Sequence, residues 1–448
     1  MTLLVDDVVE PIEPADPPAD RSAASFRRGM ALIAGLGFVI RLAYVWFIRR
    51  DATVWGDAYF YNYSANLIAD GHGWINPLRF IRDHVVEEAA DHPPVYIAWL
   101  AFFSWLGITS PLGHMLVTLP LAIATIVLVG LAGKRIGGPR VGLIAAFLAA
   151  VYPNVWVHDG MIMSETVAIL AASALILGAY RYRDRPTIGR AAALGALVGF
   201  AALTRAELLL LALLVVTPLI LGRDIRAWAG RVGRLVVAGA CCVLVLLPWV
   251  LNNLHRFDHP VYLSAGFEIT LATSTCDETY YGPLTGYWSI NCPVQQLIDN
   301  HVPADADQPA RSKVFEDASI RYIEDHLSRV PYVVGARIGR IMGLYKPLQQ
   351  AELDVFPEGH ERWIAYAGLF SFYALAALAI GGVRALRRRG EPVYILVAPF
   401  AVVLFVVTVT FANNRYRASS ETALCLLAAV GIDALWRLWT RLRAEPAG

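Results

Sequence analysis

The chain has 448 residues, of which 57% are hydrophobic and 17% are charged, and its formal net charge is +1 at pH 7. This composition excludes an ordinary soluble protein and is typical of a polytopic membrane protein. The sequence has no Walker loop, Rossmann glycine pattern, CxxC pair or HExxH motif. It therefore gives no support to nucleotide chemistry or zinc proteolysis, and nothing in it indicates nucleic-acid binding.

The N-terminal segment is acidic and rich in proline, and residues 1–27 are predicted to be a disordered cytoplasmic tail. Arg27 and Arg28 precede an apolar run from Met30 to Ile48 that has no cleavage site of small residues. This run is predicted to be an uncleaved membrane anchor whose N-terminus faces the cytoplasm.

Further apolar segments are long enough, or nearly so, to cross a hydrocarbon core of about 30 Å. The stretch 190–222 would run to about 50 Å as one helix, so it is predicted to turn back near 204–207. Two shorter stretches, 93–106 and 331–347, are predicted to be interfacial or re-entrant helices. The sequence thus predicts an all-α polytopic membrane protein of about 10 transmembrane helices, with spans at 30–48, 112–133, 141–157, 161–180, 190–204, 207–222, 233–251, 363–383, 392–412 and 418–437.

Short arginine-rich loops predict the orientation of these spans. When the spans alternate from a cytoplasmic N-terminus, the clusters at 134–140, 181–190, 223–234, 384–389 and 437–443 all lie inside, as the positive-inside rule requires. The remaining connections then lie outside. The predicted organisation is an N-terminal catalytic module at 28–251 that includes a first outer loop at 49–111, an outer loop region at 252–362, C-terminal helices at 363–438 and a cytoplasmic tail at 439–448.

Ionisable side chains collect at the outer ends of the spans, where partial burial makes them costly. They are Asp57, Asp91, His92, His158, Asp159, Glu165, Arg205, Glu207, Arg415, Arg417 and Glu421. Mutual pairing at a wet interface is one explanation. However, Arg205, Arg415 and Arg417 break the cytoplasmic bias of the other arginines, which indicates an anionic ligand such as a phosphate on the outer side.

Asp57 directly follows the first span, and two compatible roles are open for it. Its carboxylate could take a proton from an attacking hydroxyl as a general base, or it could cap the helix predicted from Ala58 to Ala69. The tyrosines that follow, including Tyr59 and Tyr61, fit an interfacial belt or a binding site. Aromatic residues near Trp288 in the large loop fit either sugar stacking or the ordinary aromatic content of outer loops.

The five cysteines fall into two groups. Three lie inside predicted spans as small apolar residues. Cys276 and Cys292 lie in the outer loop, and there they are predicted to form a disulfide that stabilises the fold by about 3 kcal/mol. The acidic and histidine side chains at 57, 91–92 and 158–159 are plausible metal ligands, but their spacing does not specify a site. The sequence therefore leaves open whether the protein binds a divalent metal, and no cofactor is assigned.

Five stretches, taken in order, resemble the GT-C membrane glycosyltransferases, and above all the protein O-mannosyltransferase and aminoarabinose transferase branch. They are GDAYFYNYSANLIADGHGW, DHPPVYIAWL, YPNVWVHDGMIMSE, LTRAELLLL and PWVLNNLHRFDHPVYLSAG. The resemblance covers nearly the whole chain from Met30 to the last span. It implies a GT-C-like fold with a large outer loop and a polyprenyl-phosphate sugar as donor.

The resemblance also implies roles for particular residues. Asp57 corresponds to the catalytic base of the first outer loop, and Asp159 or Glu165 corresponds to a second acidic position between the third and fourth spans. The contacts to the lipid phosphate correspond to Arg205, Arg415 and Arg417.

Two departures from the family pattern stand near the base. His92 precedes the paired prolines where the aminoarabinose branch has a lysine. Gly56-Asp57 stands where the mannosyltransferases have two adjacent acids. The second departure weakens the prediction that the chain specifically mannosylates proteins.

These observations predict sugar transfer from a polyprenyl-phosphate donor to an acceptor hydroxyl at the outer face of the cell membrane, with inversion. Asp57 would be the base. The donor phosphate would be bound by Arg205, Arg415, Arg417 and His92, and the supporting or acceptor-binding residues would be Asp91, Asp159, Glu165, Tyr59 and Tyr61. The expected partners are the donor, membrane lipids and a glycan, lipid or protein acceptor. A transporter or flippase of a lipid-linked sugar or another anion is the main alternative, and an inactive structural subunit is a third.

Overall fold

The computed structural model describes residues 19–222, 228–303, 306 and 308–444. The predicted tail lies mostly outside these residues, although its last part belongs to the first helix, which begins at Ala19. The cluster at 223–234 also lies partly outside them. The helices are α1 Ala19–Tyr44, α2 Asp57–Ala69, α3 Pro77–Asp83, α4 Pro94–Trp105, α5 Pro111–Gly137, α6 Pro139–Val151, α7 Pro153–Trp156, α8 Glu165–Asp184, α9 Ile188–Ala202, α10 Thr217–Leu221, α11 Trp228–Arg256, α12 Phe267–Ala272, α13 Asp277–Tyr280, α14 Asn291–Asp299, α15 Gln308–Asp325, α16 Val330–Ile341, α17 Pro347–Val355, α18 Arg362–Arg388, α19 Tyr394–Val409 and α20 Asn414–Ala444.

The described part of the chain is all-helical apart from one isolated antiparallel bridge between Ile75 and Glu88, which confirms the predicted fold class. Five helical segments within it are long and apolar enough to cross a membrane, namely Ala23–Arg49, Pro111–Gly137, Trp228–Arg256, Arg362–Arg388 and Asn414–Arg443. A sixth consists of α6 and the segment Pro153–Gly160, which are bent by 66° where Pro153 interrupts the helix.

The other four predicted spans are also helical. One is the 20-residue helix α8. The remaining three coincide with the shorter apolar segments Ile188–Ala202, Ala206–Leu221 and Tyr394–Val409. The predicted interfacial stretch 93–106 forms α4, whose 12 residues extend about 18 Å and are too few to cross the bilayer.

The last helix, α20, lies at the centre of the bundle and packs against α5, α6, α8, α18 and α19. Its stretch from Ala423 to Val430 is buried on all sides. Gly382 of α18 and Gly431 of α20 let the two backbones approach closely, because a Cβ at either glycine would overlap a carbonyl of the other helix.

The predicted cytoplasmic arginines lie at one end of the bundle, where they pair with acids of neighbouring segments. Arg135 of α5 pairs with Asp184 of α8, and Arg183 of α8 pairs with Glu391 before α19. The predicted outer corners converge at the opposite end, where Asp57 contacts Arg415. The predicted outer region 252–362 folds there into α12–α17, where Cys276 and Cys292 are joined by a disulfide with a Cα–Cα distance of 5.4 Å.

Candidate active site

Asp57 is the first residue of α2. The preceding Gly56 has a φ of +57°, a left-handed conformation that suits glycine, and it occupies the N-cap position. No side-chain capping bond forms at this end of α2, so the N-cap hypothesis for Asp57 is wrong. Its carboxylate instead turns toward α20, where Oδ2 accepts a hydrogen bond of 2.8 Å from Arg415 Nη2.

Arg415 joins three carboxylates from distant parts of the chain. Besides Asp57, its Nε lies 2.8 Å from Glu165 Oε1 and its Nη1 lies 3.2 Å from Glu358 Oε2. Glu165 begins α8, where the helix dipole stabilises its negative charge. Arg415 lies in the first turn of α20, where the helix dipole destabilises its positive charge. The three carboxylates offset that cost.

A second arginine continues this network. Arg205 Nη1 lies 2.8 Å from the same Glu165 Oε1, and Arg205 Nε lies 2.6 Å from Glu207 Oε1. We call the six side chains of Asp57, Glu165, Arg205, Glu207, Glu358 and Arg415 the acid–arginine cluster. It holds four carboxylates and two guanidiniums, so it is net negative when all six are ionised.

Asp57 is the most accessible acid of the cluster with direct contact to Arg415: its side chain is 36% exposed, against 0% for Glu165 and 4% for Glu358. Partial burial raises the pKa of the Asp57 carboxyl, but the charges of Arg415 and His92 together outweigh burial and hold that pKa below its usual range. Asp57 is therefore an ionised carboxylate at neutral pH. It can accept a proton, although the bound arginine makes it a weak base.

An open cleft lies beside Asp57. Arg49, Asp57, Glu358 and Arg415 contribute its charged lining, and Trp55 and Trp288 contribute aromatic walls. A ligand in this cleft would contact the most accessible acid of the cluster and the arginine that binds it.

Of the other predicted residues, His92 lies nearest to Asp57, with its Nε2 3.7 Å from Asp57 Oδ1. Its ring packs against Phe60 and Tyr61. Tyr61 is buried, whereas Tyr59 is partly buried and its ring contacts that of Tyr63 one turn further along α2 at 4.2 Å.

Asp91 lies farther from the centre than its sequence neighbour His92. Its Oδ1 accepts a long hydrogen bond of 3.5 Å from Gln308, and its Oδ2 is buried without a protein partner.

The structure does not bring Arg417 or Asp159 to Asp57. Arg417 is buried, pairs with Glu421 one turn further along α20 and donates to the carbonyl of Ile341. Asp159 forms a buried ion pair of 2.6 Å with Arg41 of α1. Both residues hold helices together inside the bundle.

Sequence reasoning missed the segment 358–361, which closes the site from the side of the large loop. Glu358 accepts hydrogen bonds from Trp288, Asn413 and Arg415. Glu361 accepts hydrogen bonds from Tyr44 and Arg49 at the end of the first span. The only signal in the sequence is the charged run EGHER, whose arginine begins α18.

The described residues contain no group of three or more His, Cys, Asp or Glu side chains that could hold a metal ion. One oxygen of Glu165 is buried without a partner, but arginines occupy the positions around its other oxygen. The side chains that the structure describes around Asp57 therefore do not fit a metal site.

Comparison with protein-family models and with curated proteins yields no match. Among solved structures, the oligosaccharyltransferase AglB from Archaeoglobus fulgidus, in complex with an inhibitory peptide and a dolichol-phosphate, matches with a TM-score of 0.52 at 14% identity, over 94% of this chain and 52% of that one. The Archaeoglobus fulgidus enzyme tethered to an acceptor peptide containing the NVT sequon matches with a TM-score of 0.55 at 15% identity, over 94% and 51%. ArnT from Cupriavidus metallidurans, bound to undecaprenyl phosphate, gives 0.40 at 13% identity, over 93% and 78%.

The likeness to AglB establishes the fold, which is the GT-C fold that the sequence resemblance implies. The score for ArnT is too low to establish a common fold. The chain spans about half the length of the archaeal oligosaccharyltransferase.

Proposed function

We propose that this GT-C-fold chain is a glycosyltransferase that moves a sugar from a polyprenyl-phosphate donor to an acceptor hydroxyl at the outer face of the membrane. The contact between Asp57 and Arg415 in an open cleft carries the proposal, because it places a proton acceptor beside a phosphate-binding group. The dolichol-phosphate bound to AglB, a protein of the same fold, supports a polyprenyl phosphate as the lipid part of the donor.

The arginine-rich loops support the outer location of the site. The predicted cytoplasmic clusters meet at the end of the bundle opposite to the acid–arginine cluster. By the positive-inside rule, Asp57 then faces the outer side. A donor held in the bilayer and an acceptor from the water could both reach it there.

The proposed reaction is a direct displacement. Asp57 takes the proton of the acceptor hydroxyl, and the oxygen attacks the anomeric carbon. The bond from that carbon to the phosphate oxygen breaks, its electron pair stays on the polyprenyl phosphate, and the configuration inverts. Such a displacement needs one base and no protein nucleophile.

One N–H group of Arg415 cannot donate a hydrogen bond to Asp57 and to the donor phosphate at the same time. Its three donor nitrogens each contact a carboxylate, and only Asp57 among these acids is substantially exposed. We expect the donor phosphate to replace Asp57 on Nη2. This exchange both binds the leaving group and removes the cation that weakens Asp57 as a base.

The test is release of free polyprenyl phosphate by the protein in lipid nanodiscs, given labelled polyprenyl-phosphate sugars and candidate acceptors. We expect Asp57→Asn to abolish release, by about 100-fold or more, because the amide cannot accept the proton. Asp258→Asn, in the loop after α11, is the matched control. Full activity of Asp57→Asn would remove Asp57 as the base.

The same experiment addresses the transporter alternative. A transporter or flippase would bind the labelled lipid-linked sugars and move them between leaflets without release of polyprenyl phosphate. No turnover with any donor, together with leaflet exchange of the label, would overturn the transferase proposal.

A further inference from the structure

The cleft beside Asp57 has two aromatic walls that the proposed reaction does not use. Trp55 precedes α2 and is 49% exposed, and Trp288 lies in the large outer loop and is half-buried. Both indoles line the cleft together with Asp57 and Arg415. Large aromatic surface beside charged groups in an open cleft is characteristic of a binding site.

Trp288 is held in place before any ligand binds. Its Nε1 donates a hydrogen bond of 3.3 Å to Glu358 Oε1, and its ring stacks on Tyr287 at 5.7 Å with an interplanar angle of 28°. Glu358 is fixed in turn by Asn413 and Arg415. A preorganised ring loses little conformational freedom when a ligand stacks on it.

Trp55 lies beside Gly359, the residue that follows Glu358. A Cβ at Gly359 would lie 3.6 Å from the indole, and Gly359 has a φ of +75°, which favours glycine. Its carbonyl also accepts a hydrogen bond of 3.0 Å from Arg49. Glu358 therefore positions the indole of Trp288, and its neighbour Gly359 lies beside the indole of Trp55.

We infer that Trp55 and Trp288 form the binding subsite for the acceptor and that this acceptor is a saccharide. The inference rests on the proposed function. A sugar ring has an apolar face of C–H groups and a rim of hydroxyls. The cleft offers indole surfaces for that face and the carboxylate of Asp57 for the hydroxyls.

The position of the indoles favours the acceptor over the sugar of the donor. Trp55 and Trp288 belong to connecting segments outside the candidate spans, whereas the lipid of the donor lies in the bilayer. The water-borne substrate therefore reaches these walls first.

The test measures binding and catalysis separately. Protein in nanodiscs is titrated with methyl glycosides and disaccharides of mannose, glucose, galactose and arabinose, and with Ser-, Thr- and Asn-containing peptides, while intrinsic tryptophan fluorescence is followed. The variants are Trp288→Ala, Trp55→Ala and the control Trp105→Ala, which removes an indole that is 71% exposed at the end of α4. The release assay then gives KM for the acceptor and for the donor.

We expect a saccharide to bind to the wild type and to Trp105→Ala. The two cleft variants should weaken this binding and raise the acceptor KM by roughly tenfold, with the donor KM unchanged. Tryptophan-dependent binding of peptides alone would overturn a saccharide acceptor.

Binding of neither class, in a protein that still releases polyprenyl phosphate, would overturn the subsite and leave the transferase intact. A rise in the donor KM alone would indicate that the indoles bind the donor, and it would overturn the inference. Saccharide binding without any donor turnover would support the subsite and overturn the proposed transfer.

Discussion

Arg415 Nη2 lies 2.8 Å from Asp57 Oδ2, so that a residue from the beginning of the last helix directly contacts the first residue of α2, the first helix after the first span. The contact joins the two ends of the chain at one end of the bundle. It also joins the proposed base to the proposed phosphate-binding group.

Loss of the Arg415 guanidinium should change the pH dependence of the reaction. Arg415 and His92 hold the pKa of Asp57 below its usual range against the effect of burial. Removing the cation raises the pKa of Asp57. Because the base must be ionised, we expect the acid limb of kcat/KM in Arg415→Gln to shift to higher pH, and the donor KM to rise by about tenfold or more.

The measurement is the pH profile of polyprenyl phosphate release in the wild type, Arg415→Gln and Arg415→Lys. The acid limb of Arg415→Lys should shift less than that of Arg415→Gln, because lysine keeps the positive charge but makes fewer hydrogen bonds. Arg362→Gln, which removes an exposed arginine of the neighbouring α18, is the control. An acid limb at the same pH in all variants would contradict a link between Arg415 and the base.

The buried pair of Arg41 and Asp159 should serve stability and not catalysis. Both side chains are at most 3% exposed, and Arg41 also donates to the carbonyls of Ala149 and Ala150. We expect Asp159→Ala to destabilise the protein by about 3–5 kcal/mol, because it leaves a buried guanidinium without its counterion. Replacing both residues, as in Arg41→Met with Asp159→Leu, should recover much of this loss.

Thermal unfolding in detergent measures that change, and polyprenyl phosphate release per folded molecule measures catalysis. Unchanged stability of Asp159→Ala, with a loss of release, would instead return Asp159 to the acceptor-binding role that the sequence suggested.

Two adjacent glycines in α18 provide a test of the central helix packing. A Cβ at Gly382 would overlap the carbonyl of Leu427, whereas a Cβ at Gly381 would lie 3.8 Å from the Cα of Gly431. We expect Gly382→Ala to destabilise the protein by about 1–3 kcal/mol through overpacking. Gly381→Ala should be neutral or slightly stabilising, because alanine favours helix over glycine by up to about 1 kcal/mol. Equal unfolding temperatures of the two variants would contradict the close crossing of α18 and α20.

Hydropathy and arginine placement predicted the helices well, because both depend on local composition. The corner before the last helix was predicted less well. The sequence places the last span at 418–437, which leaves Arg415 and Arg417 together in a loop. In the structure, α20 begins at Asn414. Residues two apart on a helix are separated by about 200° around its axis, so the two arginines point in different directions.

The partners of the arginines were not predictable from local patterns. Glu358 lies in the loop between α17 and α18, far along the chain from Asp57 and Glu165. Only the packing of the large loop against the helix ends brings it to Arg415. The resemblance to a family supplied Asp57, Glu165 and Arg415, but it contained no information on Glu358, the third acid that neutralises the arginine.

The disulfide should stabilise the outer region locally. Cys276 and Cys292 are 16 residues apart and link the start of α13 to α14. We expect replacement of both by alanine to cost about 3 kcal/mol of the stability of this region. Limited proteolysis between 276 and 292 should then accelerate, while proteolysis of the loop between α8 and α9 serves as the internal reference. Equal protection in both proteins would contradict this contribution.

Asp354 should make stability depend on pH near neutrality. It is buried in α17, receives a hydrogen bond of 2.6 Å from Asn414 on Oδ2 and has no partner on Oδ1. Burial, together with the nearby charge of Glu358, raises the pKa of Asp354 to about 7, although the bond from Asn414 opposes this. In the unfolded chain the pKa is about 3.9. Between these values the folded protein binds more protons, so stability falls as the pH rises from about 4 to about 7 and stays low above that range.

Asp354→Asn removes the ionisation and keeps a carbonyl oxygen that can accept the bond from Asn414. We expect it to raise the unfolding temperature by about 2 °C or more at pH 8, and to have little effect at pH 5, where Asp354 is already mostly protonated in the folded state. Thermal unfolding of both proteins across this range gives the difference directly. Asp317→Asn, an exposed acid of α15, is the control and should show no such trend. If the unfolding temperatures of Asp354→Asn and the wild type differed by the same amount at every pH, Asp354 would not titrate near neutrality.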